Sequence, residues 1–408
     1  MASINLGEIA DIITGPFGSM LHKSDYRETG IPVIMPQDIG DRTLSLDNIA
    51  RIGQQDAGRL ARYATVANDI VYARRGDVEK HAFITADEAG ALCGTGCLRV
   101  RVDERKADPL FVSFYLNRPE SRMWIRLHAV GSNMPNINTD ILSELPMELP
   151  DLESQRKVGN LLRRIDAKIA NNKKLMAGLE ETARLIYDYW FTQFDFPDEN
   201  GRPYRSSGGK MVWSDELKRE IPADWKAGML SAVCRYADET IAANALDAQT
   251  YISLDNMMPN YGGITASEYC PSEGSCKSYR IGDTLLGNIR PYFKKVFQAS
   301  RDGGCSPDVL VIRPTNGGRC YVYDTIARDC FIDYVVAGAK GTKMPRGDKD
   351  HIMRFRMAIP PRGIIEQYEK LVIQIHEYRS HAAAEDFELR SLRDWLLPML
   401  MNGQLSIE

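Results

Sequence analysis

The chain has 408 residues, 44% of them hydrophobic and 26% charged, a globular composition that excludes a disordered tail, a collagen-like repeat or a membrane-embedded fold as its main description. Lys and Arg number 51 against 55 Asp and Glu, a net charge of −4, so any nucleic-acid role must rest on local basic patches or on partners. The length exceeds one ordinary core, and at least two domains are expected.

The first residues carry Glu8 and Asp11 among apolar neighbours and no basic start, which does not read as a signal peptide. No apolar run nears the roughly 18 residues that span a bilayer, so a cytoplasmic protein without membrane contact is expected. Over 1–150, short apolar runs bounded by turn residues predict strands at 31–35, 69–73 and 97–102 and partial helix at 108–127, a first mixed α/β domain. Over 151–191 a long central helix is predicted. Its stripe of Val158, Leu162, Ile165, Ile169, Asn172, Met176, Leu179, Ala183, Ile186 and Trp190 advances by alternating steps of four and three. Residues 192–221, rich in Asp, Pro, Gly and Ser, read as a surface connection, with Trp213 and Trp225 as the residues that could order part of it.

A second mixed α/β domain is predicted over 222–360, with strands at 250–254, 284–287 and 309–312 and helix at 323–335. Residues 361–408 read as a distal helix and tail, with a stripe at Ile364, Tyr368, Leu371, Ile375, Tyr378, Ala382, Glu385, Leu389, Leu392 and Leu396. About 33 helical residues span roughly 48 Å, longer than one such domain covers, so the two stripes are expected to pair as a coiled coil. Asn172 and Glu385 are its polar positions, read either as devices that fix register or as points of local fraying. The class is therefore α+β: two mixed α/β domains in tandem, each followed by a long helix. Eight cysteines lack paired Cys-x-x-Cys spacing and are read as reduced structural thiols, with no metal expected.

This domain-plus-helix unit is a duplication. Gly131 to Pro150 aligns without gaps on Gly341 to Pro360, an offset of 210, matching at Gly131/Gly341, Met134/Met344, Pro135/Pro345, Asp140/Asp350, Met147/Met357 and Pro150/Pro360. Asp69 echoes Asp283 at 214 and Ile34 echoes Ile252 at 218. The helix ends match at Arg184/Arg390, Asp188/Asp394 and Tyr189/Trp395. A drifting offset is what loop-length changes between copies produce.

Along nearly its whole length the chain resembles the specificity subunits of Type I restriction-modification systems. The resemblance is carried by Gly15-Pro16-Phe17-Gly18, by Gly131-Ser132-Asn133-Met134-Pro135-Asn136-Ile137, and by Leu149-Pro150 followed by Glu153-Ser154-Gln155-Arg156 at the start of the long helix. Tyr189-Trp190-Phe191, Phe194-Asp195-Phe196-Pro197, Ser207-Gly208-Gly209-Lys210-Met211-Val212-Trp213 and Ile221-Pro222 with Trp225 continue it. It implies two target-recognition domains, each reading half of a split DNA sequence, on an antiparallel coiled coil with pseudo-two-fold symmetry. It also implies docking of two modification subunits that carry S-adenosylmethionine, with restriction subunits completing the nuclease; no cofactor is expected on this chain. The second copy departs from the pattern, since Met344-Pro345-Arg346-Gly347 replaces Met-Pro-Asn-Ile and Pro360-Pro361-Arg362-Gly363 shifts the helix start.

Double-stranded DNA is read by side chains that make bidentate bonds to base edges, while neighbouring Lys, Arg, Ser and backbone amides hold phosphates. Two loops with this chemistry recur in each copy: Arg74, Arg75, Lys80 and His81 with Ser132, Asn133, Asn136 and Asn138 in the first; Asn288, Arg290, Tyr292, Lys294 and Lys295 with Lys340, Thr342, Lys343 and Arg346 in the second. Taken singly, each is more simply a solvated loop residue; the repeated placement is the signal. Two readers on one spacer imply a bipartite, non-palindromic site, with half-sites about one helical turn, roughly 10 base pairs, apart. No Walker loop, Gly-x-Gly-x-x-Gly, His-Glu-x-x-His or Asn-Pro-Pro-aromatic run is present, so a non-catalytic subunit is expected. The competing readings are a protein-binding scaffold and a self-sufficient DNA-modifying enzyme; neither explains why the unit occurs twice.

Overall fold

In the first domain the opening and closing strands, Ala2–Asn5 and Pro146–Leu149, pair antiparallel, so the domain closes on itself before the long helix begins. The computed structural model describes residues 2–18, 20–131, 134–315, 317–405 and 407, and the chain divides into two units, 1–168 with 389–408, and 169–388.

The first unit holds an antiparallel sheet in the order Ala10–Thr14, Cys97–Val102, Ile70–Ala73, His81–Phe83. Ile70 to Ala73 are all buried because side chains alternate across a strand and both faces are covered. Ile70 and Tyr72 join Phe111 and Phe114 on the helical side, whereas Val71 and Ala73 join Ile34 and Cys93 on the other. Those last residues belong to a second sheet, Tyr26–Arg27, Arg51–Ile52, Ile31–Ile34, Leu92–Cys93, whose final pair is parallel. Helix Pro109–Leu116 starts where the Asp108 carboxylate accepts from Phe111 N at 2.9 Å and Pro109 needs no donor; Pro119–His128 and Thr139–Ser143 follow.

The second unit repeats this plan. Cys234–Tyr236, Val309–Pro314, Thr284–Gly287 and Val296–Gln298 form the antiparallel sheet, Lys226–Met229 pairs with Arg356–Ile359, and helices Arg319–Ile326, Asp329–Ala337 and Lys349–Met353 take the places of the first three. The parallel pair recurs as Tyr251–Ile252 beside Gly303–Cys305. Its antiparallel neighbour does not: in the first unit it attaches to Ile31–Ile34, in the second to Gly303–Cys305.

The connecting segment runs mostly along the surface and is ordered in part by Trp225. Phe194 and Phe196 are buried against Trp225, whose ring meets theirs at 5.3 and 5.2 Å, and strands Met211–Ser214 and Arg219–Pro222 pair antiparallel; Trp213 stays exposed.

The central helix spans Leu152–Tyr187 and ends in one π-helical turn, Asp188–Thr192; the distal helix spans Arg362–Met401. In the first unit Leu397, Leu400 and Met401 share a core with Val158 and Leu162, and Arg393 pairs with Asp166 at 3.1 Å. In the second unit Asn172 donates to Glu385 at 2.9 Å and Arg379 pairs with Glu180 at 3.3 Å, partners that run in opposite directions and so define antiparallel helices. On the central helix Leu162, Ile165, Ile169, Asn172 and Ala183 are buried, with Leu179 and Ile186 half-buried. The distal stripe needs correction. Leu371, Tyr378 and Leu392 are exposed at 48, 61 and 45%, while Ile365, Tyr368, Val372 and Ala382 are buried and Ile375 and Leu389 are half-buried. One of the two seam rows was read one residue too early.

Candidate nucleic-acid interface

Strand Ile70–Ala73 runs into a loop that returns when Ala73 N donates to Lys80 O at 3.1 Å. A second loop is closed by Val130 and Asn136, which exchange both backbone bonds at 2.9 Å. The two loops are fastened together: Gly76 N donates to Pro135 O at 3.1 Å and Ile137 N to Arg74 O at 3.0 Å.

The second unit builds the same joint. Lys340 and Arg346 exchange bonds at 2.9 and 2.8 Å, Arg290 N donates to Pro345 O at 2.7 Å, and Gly347 N donates to Asn288 O at 3.0 Å. The backbone at Gly76 (φ +78°) is left-handed, and its counterpart Arg290 (φ +52°) keeps that conformation without a glycine. Lys294, Asn260 and Tyr261, at +54, +54 and +59°, are left-handed too, and Asn260 N and Tyr261 N donate to Phe293 O and Lys294 O. Such backbone persists only where the surroundings over-determine it, so the second reading loop is held rigidly.

The candidate residues fall into three groups on this frame. Arg75, Arg290, Thr342 and Lys343 are exposed, as are the tilted rings of Tyr292 and Phe293. Among the described residues no side-chain partner of Arg75, Arg290 or Lys343 is found. A second group is engaged within the loops: Lys80 with Asp77 at 2.6 Å, Lys294 with Asp329 at 2.8 Å, Lys340 with Asp348 at 2.5 Å, Arg346 with Asp308 at 2.6 Å, Lys295 with Leu254 O at 2.5 Å, and Arg74 Nε with Ile137 O at 3.3 Å. Exposed ion pairs of this kind are worth at most about 1 kcal/mol, so phosphates can displace them. The Lys340 ammonium and two backbone amides hold the Asp348 carboxyl down at about 2.

The third group consists of corrections. His81 is fully buried, stacked on Tyr72 at 4.9 Å with Nε2 3.1 Å from Ser113 O and Oγ, and cannot reach DNA. Burial pushes its imidazole down to about 3, with Arg42 and Arg122 adding to the shift. Asn288 is buried, held through its backbone. Asn138 caps helix Thr139–Ser143 by accepting from Ile141 N at 2.8 Å, as Asp348 caps its counterpart. Asn136 is half-buried within the joint. Ser132 and Asn133 lie outside the described residues.

Three features escaped the sequence reading. Arg126, on helix Pro119–His128, braces the first loop by gripping Glu79 at 2.5 and 2.8 Å. Arg42 is buried over the Phe114 ring, donates to Ser113 Oγ at 3.1 Å, and ion-pairs with Asp166 of the central helix. Met134 and Met344 project into solvent at 62 and 58%; their identity in both copies was visible, their exposure was not. Two surface depressions, beside Arg101–Asp69 and beside Arg313–Asp283, contain none of the loop residues, and no described group of His, Cys, Asp and Glu could hold a metal ion. The candidate surface is the pair of jointed loops.

Residues 1–181 match the model of the Type I restriction modification DNA specificity domain. The Type I restriction enzyme MjaIX specificity subunit of Methanocaldococcus jannaschii is 23% identical over 297 residues, 68% of this chain and 65% of its own length. The HindI specificity subunit of Haemophilus influenzae is 21% identical over 414 residues, covering 85% of this chain and 88% of its own. The first globule and most of the central helix thus match a Type I specificity domain. Its fold agrees with that of the Type I restriction-modification S subunit from M. genitalium, with a TM-score of 0.61 at 14% identity over 98% of this chain and 95% of that one. The domain match ends inside the central helix; the Haemophilus alignment extends over the second globule, which repeats the first globule's topology. No helix among the described residues is long and apolar enough to cross a membrane. The two long helices carry exposed apolar side chains, Leu175 and Leu185 on the central helix and Leu371, Tyr378, Leu392 and Trp395 on the distal one.

Proposed function

We propose that this chain is the DNA-reading, non-catalytic subunit of a Type I restriction-modification complex, with each globule reading one half of an asymmetric, gapped duplex site. One observation carries the reading: both globules fasten the same two loops with the same backbone bonds, yet display different side chains on them. Constant presentation with changed chemistry is what two different half-sites on one duplex demand. The paired helices set the number of unread base pairs and dock two modification subunits, which bind S-adenosylmethionine; restriction subunits complete the nuclease. The exposed apolar residues of those helices support a docking role, since such side chains in the middle of a long helix pair call for a partner. The net charge of −4 and the ion-paired loop lysines support weak DNA binding by the isolated chain.

The test is methylome sequencing of a host expressing this chain with its neighbouring methyltransferase, against a host lacking only this chain. A gapped, asymmetric adenine motif that depends on the chain, and of which one half changes when residues 1–150 are exchanged, is expected. The same motif from an active methyltransferase with or without the chain rejects the reading and favours a scaffold.

A further inference from the structure

Most of the jointed loops differ between the two copies, and one exposed feature does not. Gly131 and Gly341 open the second loop of each joint in the same left-handed backbone (φ +107° and +100°), and a Cβ at either would stand 2.8 or 3.3 Å from the carbonyl oxygen of the methionine three residues on. The carbonyl of that methionine, Met134 or Met344, thus lies close over the glycine that opens the loop. The proline after the methionine is tied by its carbonyl to Gly76 N or Arg290 N of the neighbouring loop. Both thioethers stand mostly in solvent although a methionine is an ordinary core residue. The positions around them vary: Asn136 faces Arg346 in the alignment, Arg75 faces Ile289, and Gly76 faces Arg290.

What varies between two readers suits bases that differ between two half-sites; what is kept suits something the half-sites share, and what they share is the stacked duplex itself. Resting on the DNA-reading role above, we propose that Met134 and Met344 are apolar wedges, each pressing on a base step of its own half-site and unstacking it. A flexible, polarizable apolar side chain on a loop fastened to its neighbour is suited to this, and methionine is among the residues that open base steps in DNA complexes. The wedge carries no charge and no hydrogen-bond code, so it adds affinity and distortion without choosing the bases.

The test uses the complex assembled with its modification subunits, on a duplex that bears the motif found in vivo and carries 2-aminopurine at successive positions of each half. With the wild-type chain one position in each half, other than the adenine that the modification subunit flips for methylation, is expected to brighten as it unstacks. Met134→Ala should dim the bright position in one half by about fivefold and leave the other, and Met344→Ala should do the converse. Met134→Leu and Met344→Leu should keep the signal, and the slope of log affinity against log salt should not change in any variant, since no phosphate contact is lost. Thermal melting checks that the alanine variants stay folded. Absence of any bright position besides the flipped adenine, or such positions that persist in both alanine variants, overturns the proposal. So does loss of modification-subunit binding by Met134→Ala without DNA, which would assign the tip to a protein partner. A wild-type complex with no sequence preference at all would instead sink the DNA-reading role on which the wedge depends.

Discussion

Arg101 grips Asp69 with both arms of its guanidinium, Nε to Oδ1 at 2.8 Å and Nη2 to Oδ2 at 2.7 Å, and Arg313 grips Asp283 in the same way at 2.9 and 2.7 Å. Each aspartate also accepts from a backbone amide three residues upstream, Val66 N or Arg280 N, both at 2.8 Å. The pair thus fixes the turn that leads into the strand supporting each reading loop. Both aspartates are buried, but the arginine side chains differ, Arg101 being 38% exposed and Arg313 13%. Asp283→Ala should cost about 3 kcal/mol because the Arg313 guanidinium, left with Glu239 as its one carboxylate partner, stays largely out of water. Asp69→Ala should cost about 1 to 2 kcal/mol because Arg101 can turn to water. Hydrogen exchange of the two central sheets, each variant against wild type, measures both; a larger loss at Asp69 contradicts the argument.

The distal helix shows where a periodic pattern stops being legible. Steps of three and four alternate in either order, and the sequence offered both: Leu371, Tyr378 and Leu392 in one row, Val372, Arg379 and Arg393 in the row beside it. Apolarity favoured the first row, yet the structure buries Val372 and turns Arg379 and Arg393 toward Glu180 and Asp166. Only the charges of the opposing helix could have revealed this. Val372→Ala should destabilise the second unit by about 2 kcal/mol, and Leu371→Glu or Tyr378→Glu by less than about 0.5 kcal/mol. The two glutamate variants should still weaken pull-down of the modification subunit at least tenfold. Unchanged pull-down by both would remove this flank from the docking surface.

The strands were legible because burial on both faces writes a continuous apolar run, as in Ile70-Val71-Tyr72-Ala73. The candidate loops were legible as groups because duplication placed similar chemistry twice. Individual residues were not. Asn138 reads equally as a reader or a helix cap, Lys294 as a phosphate contact or the partner of Asp329, and three-dimensional neighbours alone decide. In the connecting segment Trp225 was legible as an ordering residue, whereas turn-rich composition masked Phe194 and Phe196, the two rings packed on it.

His81 makes the first unit sensitive to mild acid. An imidazole in the unfolded chain takes up its proton near 6.5, whereas in the fold burial holds it unprotonated down to about 3. The unfolded state therefore binds more protons between those values. The histidine's contribution is fully present above about pH 6.5 and declines as pH falls below it, by roughly 1 kcal/mol per unit. Between pH 6.5 and 5 the wild-type first unit should lose roughly 1.5 kcal/mol. His81→Gln, which keeps a donor for Ser113 but cannot titrate, should be less stable at neutral pH and flat over that interval. Equal slopes for wild type and variant, by hydrogen exchange of strand His81–Phe83, would show that the buried imidazole is not the sensor.

Arg75 and Lys343 separate two kinds of DNA contact. Arg75 stands on a backbone bridged to Asn136, so its forked guanidinium starts from a fixed point, as bidentate reading of a guanine requires. Lys343 is a flexible point charge at the tip of the equivalent joint, suited to a phosphate. In the assembled complex Arg75→Ala should cost about 1 to 3 kcal/mol at one position of one half-site and relax its preference there, leaving the other half unchanged. Lys343→Ala should weaken binding to cognate and scrambled duplexes alike and lower the salt slope by about 1. Titrations of both variants at four salt concentrations, on the cognate duplex and on duplexes altered one base pair at a time, distinguish the roles. If Arg75→Ala lowered affinity uniformly and reduced the slope, Arg75 would be a phosphate contact, and base reading in the first unit would pass to the other residues of the joint.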